Sequence, residues 1–283
     1  MNLLHKFDIY LMSKKHYDVN GFKRFVLEFL FFGIKQARAC LFAFSFFLAM
    51  LLVPNQAFGL YRYDLLLIIA ILLQVFMYFS KLESKNELIA ICIFHFLGFC
   101  LEAFKTSVVN SWAYTEFAYT KIYGVPLFSG FMYASVASYI IQAYRIFDMR
   151  LDKHPKIHIS LILSFMIYAN FFTHHYIGDY RYYIAALLLF FYRSSFICFT
   201  PLDKERKMPL LVSFVLVGFF IWIAENFGTI LGVWTYPNQI GSWALVSFSK
   251  WGSWSLVIVM SFTIVVSLKE LQEKLNLNKK SPA

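Results

Sequence analysis

Residues 222–237 of this sequence read Trp-Ile-Ala-Glu-Asn-Phe-Gly-Thr-Ile-Leu-Gly-Val-Trp-Thr-Tyr-Pro. A single carboxylate, Glu225, stands inside this otherwise apolar run. The pattern occurs again upstream, where residues 102–114 read Glu-Ala-Phe-Lys-Thr-Ser-Val-Val-Asn-Ser-Trp-Ala-Tyr. Each copy has a Glu, a Thr four residues later and then Trp-x-Tyr, so one polar and aromatic unit is present twice.

The composition around this stretch is that of a membrane protein. Of the 283 residues, 60% are hydrophobic and 15% are charged, and the charges cluster between long apolar runs. A soluble domain carries about a quarter charged residues, whereas apolar runs of about 20 residues match the hydrocarbon core of a bilayer. The first apolar run follows a long basic segment and precedes other runs, which predicts a spanning helix and not a cleaved signal peptide.

Eight apolar runs predict an all-α polytopic bundle of about eight transmembrane helices. They cover residues 39–53, 63–80, 87–104, 126–144, 158–173, 182–199, 209–231 and 243–267. The chain then divides into three parts. These are residues 1–38, a basic N-terminal segment with interfacial character, residues 39–268, the transmembrane domain, and residues 269–283, a C-terminal tail.

Lys and Arg are divided unequally between the loops of this bundle. Twenty of the 26 lie in the two termini and in loops 81–86, 145–157 and 200–208, whereas the alternate loops hold four. The positive-inside rule therefore predicts that both termini are cytoplasmic. The net charge of +10 predicts anionic membrane lipids as partners, and not nucleic acid. The sequence does not identify any protein partner.

The two polar units have the same orientation in this topology. Glu102 and Glu225 are 123 residues apart, and the helix of Glu225 is the fourth after that of Glu102. Because helices that are an even number of spans apart cross the membrane in the same direction, the two units favour two parallel four-helix repeats about an axis along the membrane normal. Both units then lie at the non-cytoplasmic face, where we expect an outward-facing polar cavity.

Glu225 and Lys250 are the most unusual residues inside predicted helices. An ionisable residue in a spanning helix costs about 2.5 to 3.5 kcal/mol on insertion scales and usually faces a partner inside the bundle. Both lie about 10 Å below the outer boundary, at 1.5 Å per residue, so an ion pair is predicted. It either locks two helices together or makes Glu225 a proton donor or acceptor. Arg193 is the third such residue, roughly mid-depth in its predicted helix.

Further candidates lie on the third predicted helix and in an outer loop. His95 and Glu102 are seven residues apart and share a helical face, with Lys105 one turn beyond. His95 is either a hydrogen-bonded core histidine or part of a polar cavity with Glu102. In the loop, Asp179 and Arg181 are either solvated or brace the loop over the cavity.

The histidines and cysteines do not predict a metal site. A metal held by His95, Glu102, Glu225 and His174 or His175 is conceivable, but no dedicated ligand spacing supports it. The four cysteines fall within or beside apolar runs and have no CxxC spacing, which is typical of buried hydrophobic residues. No cofactor is predicted.

Aromatic residues of the two units are candidates for lining the site. Trp and Tyr are common in interfacial belts, but a belt does not explain the same order twice. The expected substrate-binding residues are Trp112, Tyr114, Trp234, Tyr236, Lys105, Thr106, Thr229, His174 and His175.

Several strings resemble an uncharacterised bacterial family of multi-pass membrane proteins, the domain of unknown function numbered 817. They are Glu102-x-x-Lys-Thr, Gly124-Val-Pro-Leu-Phe-Ser-Gly-Phe-Met-Tyr133, Ala169-Asn-Phe-Phe-Thr-His-His175, Ala224-Glu-Asn-x-Gly-Thr229 and Trp234-x-Tyr-Pro237. The resemblance covers most of the chain from about residue 35. It implies no established activity.

A weaker resemblance is to the membrane-embedded carotenoid hydratases and, more distantly, to the heterodimer-type lycopene cyclases. It rests on Glu102, Trp112, Tyr114 and residues 124–127. It implies intramembrane acids that protonate a polyene double bond, giving a carbocation that water or ring closure quenches. The paired acids that follow the Pro-Leu element in the cyclases are replaced here by Phe and Ser.

Three hypotheses about function follow from these residues. The first is a membrane-embedded enzyme that acts on an isoprenoid- or carotenoid-like lipid by acid/base catalysis. Its catalytic candidates are Glu225, Glu102, Lys250 and His95. The second is a secondary transporter or proton-coupled permease, and the third is a non-catalytic membrane scaffold.

Overall fold

The structure, a computed structural model, describes residues 3–13 and 17–280. Helices dominate this part of the chain, so the predicted all-α class is confirmed. The helices are α1 (Leu3–Met12), α2 (Gly21–Ala39), α3 (Leu41–Leu52), α4 (Arg62–Phe79), α5 (Lys85–Ala103), α6 (Ser129–Ile146), α7 (Ile157–Thr173), α8 (Arg181–Tyr192), α9 (Leu210–Ile230) and α10 (Ser249–Lys280). The short strands are β1 (Gln56–Ala57), β2 (Leu60–Tyr61), β3 (Lys121–Ile122), β4 (Val125–Pro126), β5 (Arg150–Asp152), β6 (Phe196–Phe199) and β7 (Arg206–Pro209).

Several of these helices have the length and composition of membrane spans. Four within the described chain qualify: Arg62–Phe79, Lys85–Val108, Leu210–Ile230 and Ser249–Leu271. Helices α2 and α3 form a pair bent by 66° that could be a fifth span. Helices α7 and α8 have 17 and 12 residues, below the roughly 20 that a straight span needs. The protein is therefore an integral membrane protein with several apolar helices, and the predicted number of eight spans is not confirmed.

Helix α6 lies in the centre of the bundle and packs against α5, α2, α3 and α10. Two glycines bring α5 and α6 together. A Cβ added at Gly98 would lie 2.4 Å from the Tyr133 ring, and one added at Gly130 would lie 2.6 Å from His95 Nδ1. Small residues at a helix contact permit this close approach of two backbones. It places Tyr133 of α6 beside Glu102 of α5.

The predicted helix 182–199 is wrong in its last third. Helix α8 ends at Tyr192, and residues 196–199 form β6, because the run Phe-Ile-Cys-Phe suits a strand and pairs with β5 and β7. Arg193 is therefore exposed at the end of α8, not at mid-depth. Its guanidinium lies 5.0 Å from the centre of the Phe190 ring.

The predicted start of the last helix is also wrong, because α10 begins at Ser249 instead of residue 243. Side chains hold the preceding segment in an irregular conformation. Asn226 Oδ1 accepts the backbone N–H of Val246 at 2.9 Å, and Trp222 Nε1 donates to the carbonyl of Val246 at 3.1 Å. Lys250 is thus the second residue of α10 and not seven residues along it. The helix also continues to Lys280, through much of the predicted tail.

The loops gather at two ends of the bundle, in the two groups that the charge count separates. At the basic end, β6 lies between β5 and β7, with Cys198 opposite Arg150 on one side and Lys207 on the other. Arg24 of α2 forms an ion pair with Asp203 at the same end. The assignment of this end to the cytoplasm stays a prediction.

We call the second end, formed by loops 53–61, 109–128, 174–180 and 231–248, the aromatic end. Arg62 ties several of its parts together. The Arg62 guanidinium donates to the carbonyl oxygens of Met50 at 2.7 Å and Leu231 at 3.0 Å, and it pairs with Glu116 at 2.9 Å. One buried side chain therefore joins the ends of α3 and α9 to the loop that follows α5.

Replacing Arg62 with methionine should destabilise the protein by about 3 kcal/mol, because it leaves Glu116 and two carbonyl groups without their partner. The midpoint of thermal unfolding in detergent, followed by tryptophan fluorescence, measures this effect. The matched control is Arg150→Met, whose partner is Glu205 and whose side chain is 70% exposed. The control should leave the midpoint almost unchanged, and equal losses in both variants would contradict the role of Arg62.

Candidate functional site

Glu102 is buried near the end of α5 and accepts three hydrogen bonds. Its Oε2 atom accepts from Trp112 Nε1 and from the Tyr114 hydroxyl, both at 2.8 Å. Its Oε1 atom accepts from the Tyr133 hydroxyl at 2.8 Å. The side chain is 3% exposed, so aromatic donors take the place of water around this carboxylate.

Glu225, which lies in α9, has a similar set of hydrogen-bond donors. The Tyr236 hydroxyl donates to its Oε1 atom, and Trp254 Nε1 donates to its Oε2 atom. Trp234, the counterpart of Trp112, lies against Gly228 instead, where an added Cβ would come within 2.1 Å of the ring. In both units, therefore, the Tyr of Trp-x-Tyr donates to the Glu of its own unit. The two Trp residues differ, because Trp112 donates to Glu102 whereas Trp234 packs against Gly228.

A residue in the left-handed conformation turns the chain back in each unit. Asn110 has a φ of 55° and Gly232 a φ of 67°, and each lies two residues before the Trp of its unit. Asn and Gly adopt this conformation more readily than other residues. The turn of π-helix at Phe104–Val108 also ends the first unit's helix, a feature that is frequent at functional sites.

The two units meet where their Trp-x-Tyr loops touch. Ala113 and Thr235, the middle residues of the two motifs, form an antiparallel bridge in which each N–H donates to the other carbonyl at 2.9 Å. The Trp112 and Tyr236 ring centres are 5.9 Å apart. Antiparallel pairing of like segments is the arrangement that a two-fold axis between the units would give. Duplication of the chain stays a prediction.

Lys250 lies between the two units but does not form the predicted ion pair. No ion pair of the described residues joins it to Glu225; instead its Nζ atom lies 4.6 Å from the Trp112 ring centre and 4.7 Å from that of Tyr236. Trp254 and Tyr236 donate hydrogen bonds to the two Glu225 oxygens instead. The ammonium group is therefore held by the faces of two aromatic rings, one from each unit.

A second cationic group lies beside this aromatic cluster. Lys105 Nζ lies 2.8 Å from His175 Nε2 and 3.4 Å from His174 Nε2. Arg181, the first residue of α8, pairs with Asp179 of the same loop at 2.5 Å. The two side chains are partly exposed, and their role in bracing the loop over the cavity stays a prediction.

These residues line one cavity of about 1390 Å³. Its polar wall holds Glu102, Lys105, Trp112, Tyr114, Tyr133, Asn170, His174, His175, Arg181, Glu225, Trp234, Tyr236, Lys250 and Trp254. Its remaining walls are largely apolar and come mainly from α2, α3, α6, α9 and α10. Most of the predicted site residues are therefore brought together, from segments as far apart in sequence as α5 and α10.

Three predicted site residues do not line this cavity. The His95 ring packs against Phe131, with 4.5 Å between the ring centres, so the alternative of a polar cavity shared with Glu102 is wrong. Its Nδ1 atom has no hydrogen-bond partner within the described structure, so the alternative of a hydrogen-bonded core histidine is not confirmed at this atom. Thr106 has a buried hydroxyl with no hydrogen-bond partner in the described structure. The Thr229 hydroxyl donates to the carbonyl of Asn226 at 3.0 Å. These side chains belong to the packing around the site.

Two hydrogen-bond donors to the carboxylates were missed by sequence reasoning, Tyr133 and Trp254. Each stands in the helix that follows its unit, about 30 residues after the Glu that it contacts, at 31 residues for Tyr133 and 29 for Trp254. Their ring centres are 5.9 Å apart. Comparison of the two units would have found these donors if it had been extended into the next helix.

The tyrosines of the two loops keep their protons at neutral pH. Burial raises the pKa of Tyr114 and of Tyr236 well above the usual value, and the neighbouring Glu102 and Glu225 raise it further. Both hydroxyl groups are therefore stable donors to the two carboxylates. Within residues 3–13 and 17–280, no group of three or more His, Cys, Asp or Glu side chains gathers as metal ligands would.

A family of proteins described as of unknown function (DUF817) has a sequence profile that matches residues 28–262. The chain belongs to the DUF817 family. It is 45% identical over 253 residues to the uncharacterised protein YoaT of Bacillus subtilis (strain 168), across 89% of this chain and 95% of that protein. No solved structure matches the chain.

The range matched by the family profile, residues 28–262, includes the whole candidate site of this DUF817 protein. Every sequence string on which the family resemblance rests also lies within that range. These comparisons do not show the resemblance to carotenoid hydratases and lycopene cyclases, which stays a prediction.

Cysteines placed at Ala113 and Thr235 should form a disulfide on oxidation, because paired residues in such a bridge have Cα atoms about 5.5 Å apart. The double variant is made in a chain whose four native cysteines are replaced by serine or alanine. Mass spectrometry of the intact protein before and after reduction measures the bond. The Ala113→Cys single variant is the control, and a double variant that stays reduced under oxidising conditions would contradict the contact between the units.

Lowering the pH should destabilise the folded loop that contains His174 and His175. Burial lowers the pKa of both from the usual 6.5, and Lys105 lowers it further. The unfolded chain therefore takes up protons first as the pH falls through 6.5, so stability is full at neutral pH and declines below it. Thermal unfolding midpoints measured against pH test this sign.

The double variant His174→Gln, His175→Gln should flatten the decline, because the groups that titrate are gone. The matched control is His158→Gln, an exposed histidine outside the cavity, which should keep the parent profile. A profile that is equally steep in the double variant would show that other groups cause the effect.

Proposed function

We propose that this protein is a membrane-embedded enzyme that acts on an isoprenoid-like lipid by acid/base catalysis. One observation carries the proposal: two buried carboxylates, Glu102 and Glu225, line the same cavity, and its other walls are mostly apolar. They interact with each other through space. A pair of carboxyl groups can give and take a proton in one reaction, and an apolar chamber suits a lipid.

The size and position of the cavity support a lipid substrate. Its volume of about 1390 Å³ exceeds the roughly 300 to 1,000 Å³ of ordinary small-molecule pockets. Part of its apolar wall is formed by Phe44, Phe47 and Leu51 of α3 on one side and Val217 and Phe220 of α9 on the other. A long hydrocarbon chain could therefore enter from the bilayer between these two helices.

The aromatic cluster supports a cationic intermediate. Lys250 Nζ lies over the Trp112 and Tyr236 rings, so the faces of these rings already stabilise a positive charge at this position. A carbocation over neighbouring ring faces of the same cluster would gain stabilisation of the same kind, and Glu225 and Glu102, which attract Lys250 through space, would offset the repulsion between the two cations. Removal of water by the surrounding apolar walls strengthens this interaction.

The proposed chemistry is addition of water to a carbon–carbon double bond. One carboxyl group gives its proton to one carbon of the double bond, which leaves a carbocation on the other. Water adds to this cation through its oxygen, and the second carboxylate accepts the proton that is released. The product is an alcohol with one more water than the substrate, and the two carboxyl groups exchange their protonation states until proton transfer restores them.

Glu225→Gln should abolish this reaction, with a loss of at least about 100-fold, because an amide cannot exchange the proton. Lipid extracts of cells that express the parent or the variant are compared by mass spectrometry for species that gain one water. The matched control is Glu83→Gln, a buried glutamate at the basic end whose partners are Gln74 and Ser138. An unchanged lipid profile between parent and empty vector would contradict the proposal.

A proton-coupled permease is the second candidate, and the extent of the cavity favours it. The lining reaches Met149, Phe199 and Met208 at the basic end as well as Ser111 and His175 at the aromatic end. A transport path needs this continuity across the bundle. The same variant separates the two functions, because a permease in proteoliposomes should move a solute without chemical change and lose its proton coupling in Glu225→Gln.

A further inference from the structure

Lys105 is buried without a carboxylate partner. Its side chain lies in the wall of the cavity and is 6% exposed. Among the ion pairs of the described residues, neither Lys105 nor Lys250 has an acidic partner. A buried ammonium group is costly unless an anion compensates its charge, so this end of the cavity is suited to bind one.

The two neighbouring histidines orient Lys105 and do not neutralise it. His174 Nδ1 lies 2.8 Å from the carbonyl oxygen of Asn170, so this nitrogen carries the proton and Nε2 is the acceptor. Both histidines lie with Nε2 towards Lys105. An ammonium group has three N–H donors, and the two rings leave at least one for a ligand.

Other charged groups around Lys105 make this end of the cavity positive. We call the part of the cavity wall formed by Lys105, Lys250 and Arg181 the rim. Lys105 interacts through space with Lys250, Arg181 and Asp179, of which only Asp179 is acidic, and Asp179 is already paired with Arg181. Glu225 and Glu102 attract Lys250 through space, but both carboxylates accept their hydrogen bonds from aromatic donors. Three cationic groups, Lys105, Lys250 and Arg181, line this part of the cavity, and among the ion pairs of the described residues only Arg181 has an acidic partner, Asp179.

We propose that this rim binds the phosphate group of a phosphorylated isoprenoid-like lipid, whose chain occupies the apolar part of the cavity. The inference rests on the proposed function, since it names the class of lipid substrate. A phosphate monoester carries up to two negative charges and three strong acceptor oxygens, which match Lys105, Lys250 and Arg181 better than a carboxylate does. Arg181 also donates to Ser253 Oγ at 3.3 Å, which holds the guanidinium at the rim.

The test compares geranylgeranyl phosphate with geranylgeraniol, two lipids with the same chain and different head groups. Binding to the full chain in detergent is followed by quenching of tryptophan fluorescence. The phosphate form should bind at least about tenfold more tightly, the value expected for one charge-assisted hydrogen bond. Lys105→Gln should remove most of this preference and leave the affinity for the alcohol unchanged.

The matched control is Lys207→Gln, an exposed lysine at the basic end that pairs with Asp152, and it should keep the preference of the parent. Equal affinity of the parent for both lipids would overturn the phosphate site and leave the proposed lipid substrate intact. Binding of neither lipid would overturn both. Inorganic phosphate that binds as tightly as the phosphorylated lipid would overturn the lipid as the source of the anion.

Glu225→Gln separates the two proposals in the other direction. This variant should bind the phosphorylated lipid at least as tightly as the parent, because the cationic residues are intact and a nearby negative charge is removed, while losing the addition of water. Loss of phosphate preference in Glu225→Gln with preserved preference in Lys105→Gln would assign the anion to a different place and overturn the inference.

Discussion

A carboxylate buried in an apolar bundle needs hydrogen-bond donors, and this constraint organises the aromatic end of the protein. Glu102 obtains its donors from the loop that follows α5 and from α6, and Glu225 obtains its donors from the loop that follows α9 and from α10. Each loop must therefore fold back onto the bundle. The bridge between Ala113 and Thr235 then joins the two loops, so the two carboxylates share one cavity.

The identity of the donors matters for the chemistry. Trp and Tyr are neutral donors, so they stabilise a carboxylate without neutralising it and leave the ring faces available to a cation. Lys250 uses two of these faces instead of the ion pair that its position in the sequence had suggested. The result is a site in which acids, aromatic faces and cationic groups occupy separate places. In the proposed function, that separation would let one cavity hold an anionic head group and support proton transfer to a hydrocarbon chain.

Some of this could be predicted from residue patterns and some could not. Long apolar runs predicted α4, α5 and α9 to within a few residues, because a spanning helix satisfies its own backbone and requires no partner. The strand at 196–199 was missed, because a short apolar run fits both a helix and a strand until its partners are known. The depth of Lys250 was wrong for a related reason: Asn226 and Trp222, distant in sequence, hold the preceding segment out of the helix.

The sequence by itself determined that this is a helical membrane protein of the DUF817 family and that a Glu-Thr-Trp-x-Tyr unit occurs twice, since composition, apolar run length and motif order are local properties. Only the tertiary structure decided which donors reach each carboxylate. Tyr133 and Trp254 come from neighbouring helices, His95 packs against Phe131 away from the cavity, and Lys105 meets His174 and His175 across about 70 residues. The physical reason is that the energy of a buried polar group depends on its hydrogen-bonding and charged partners. Packing brings these partners together from segments distant in sequence, so no single segment predicts them.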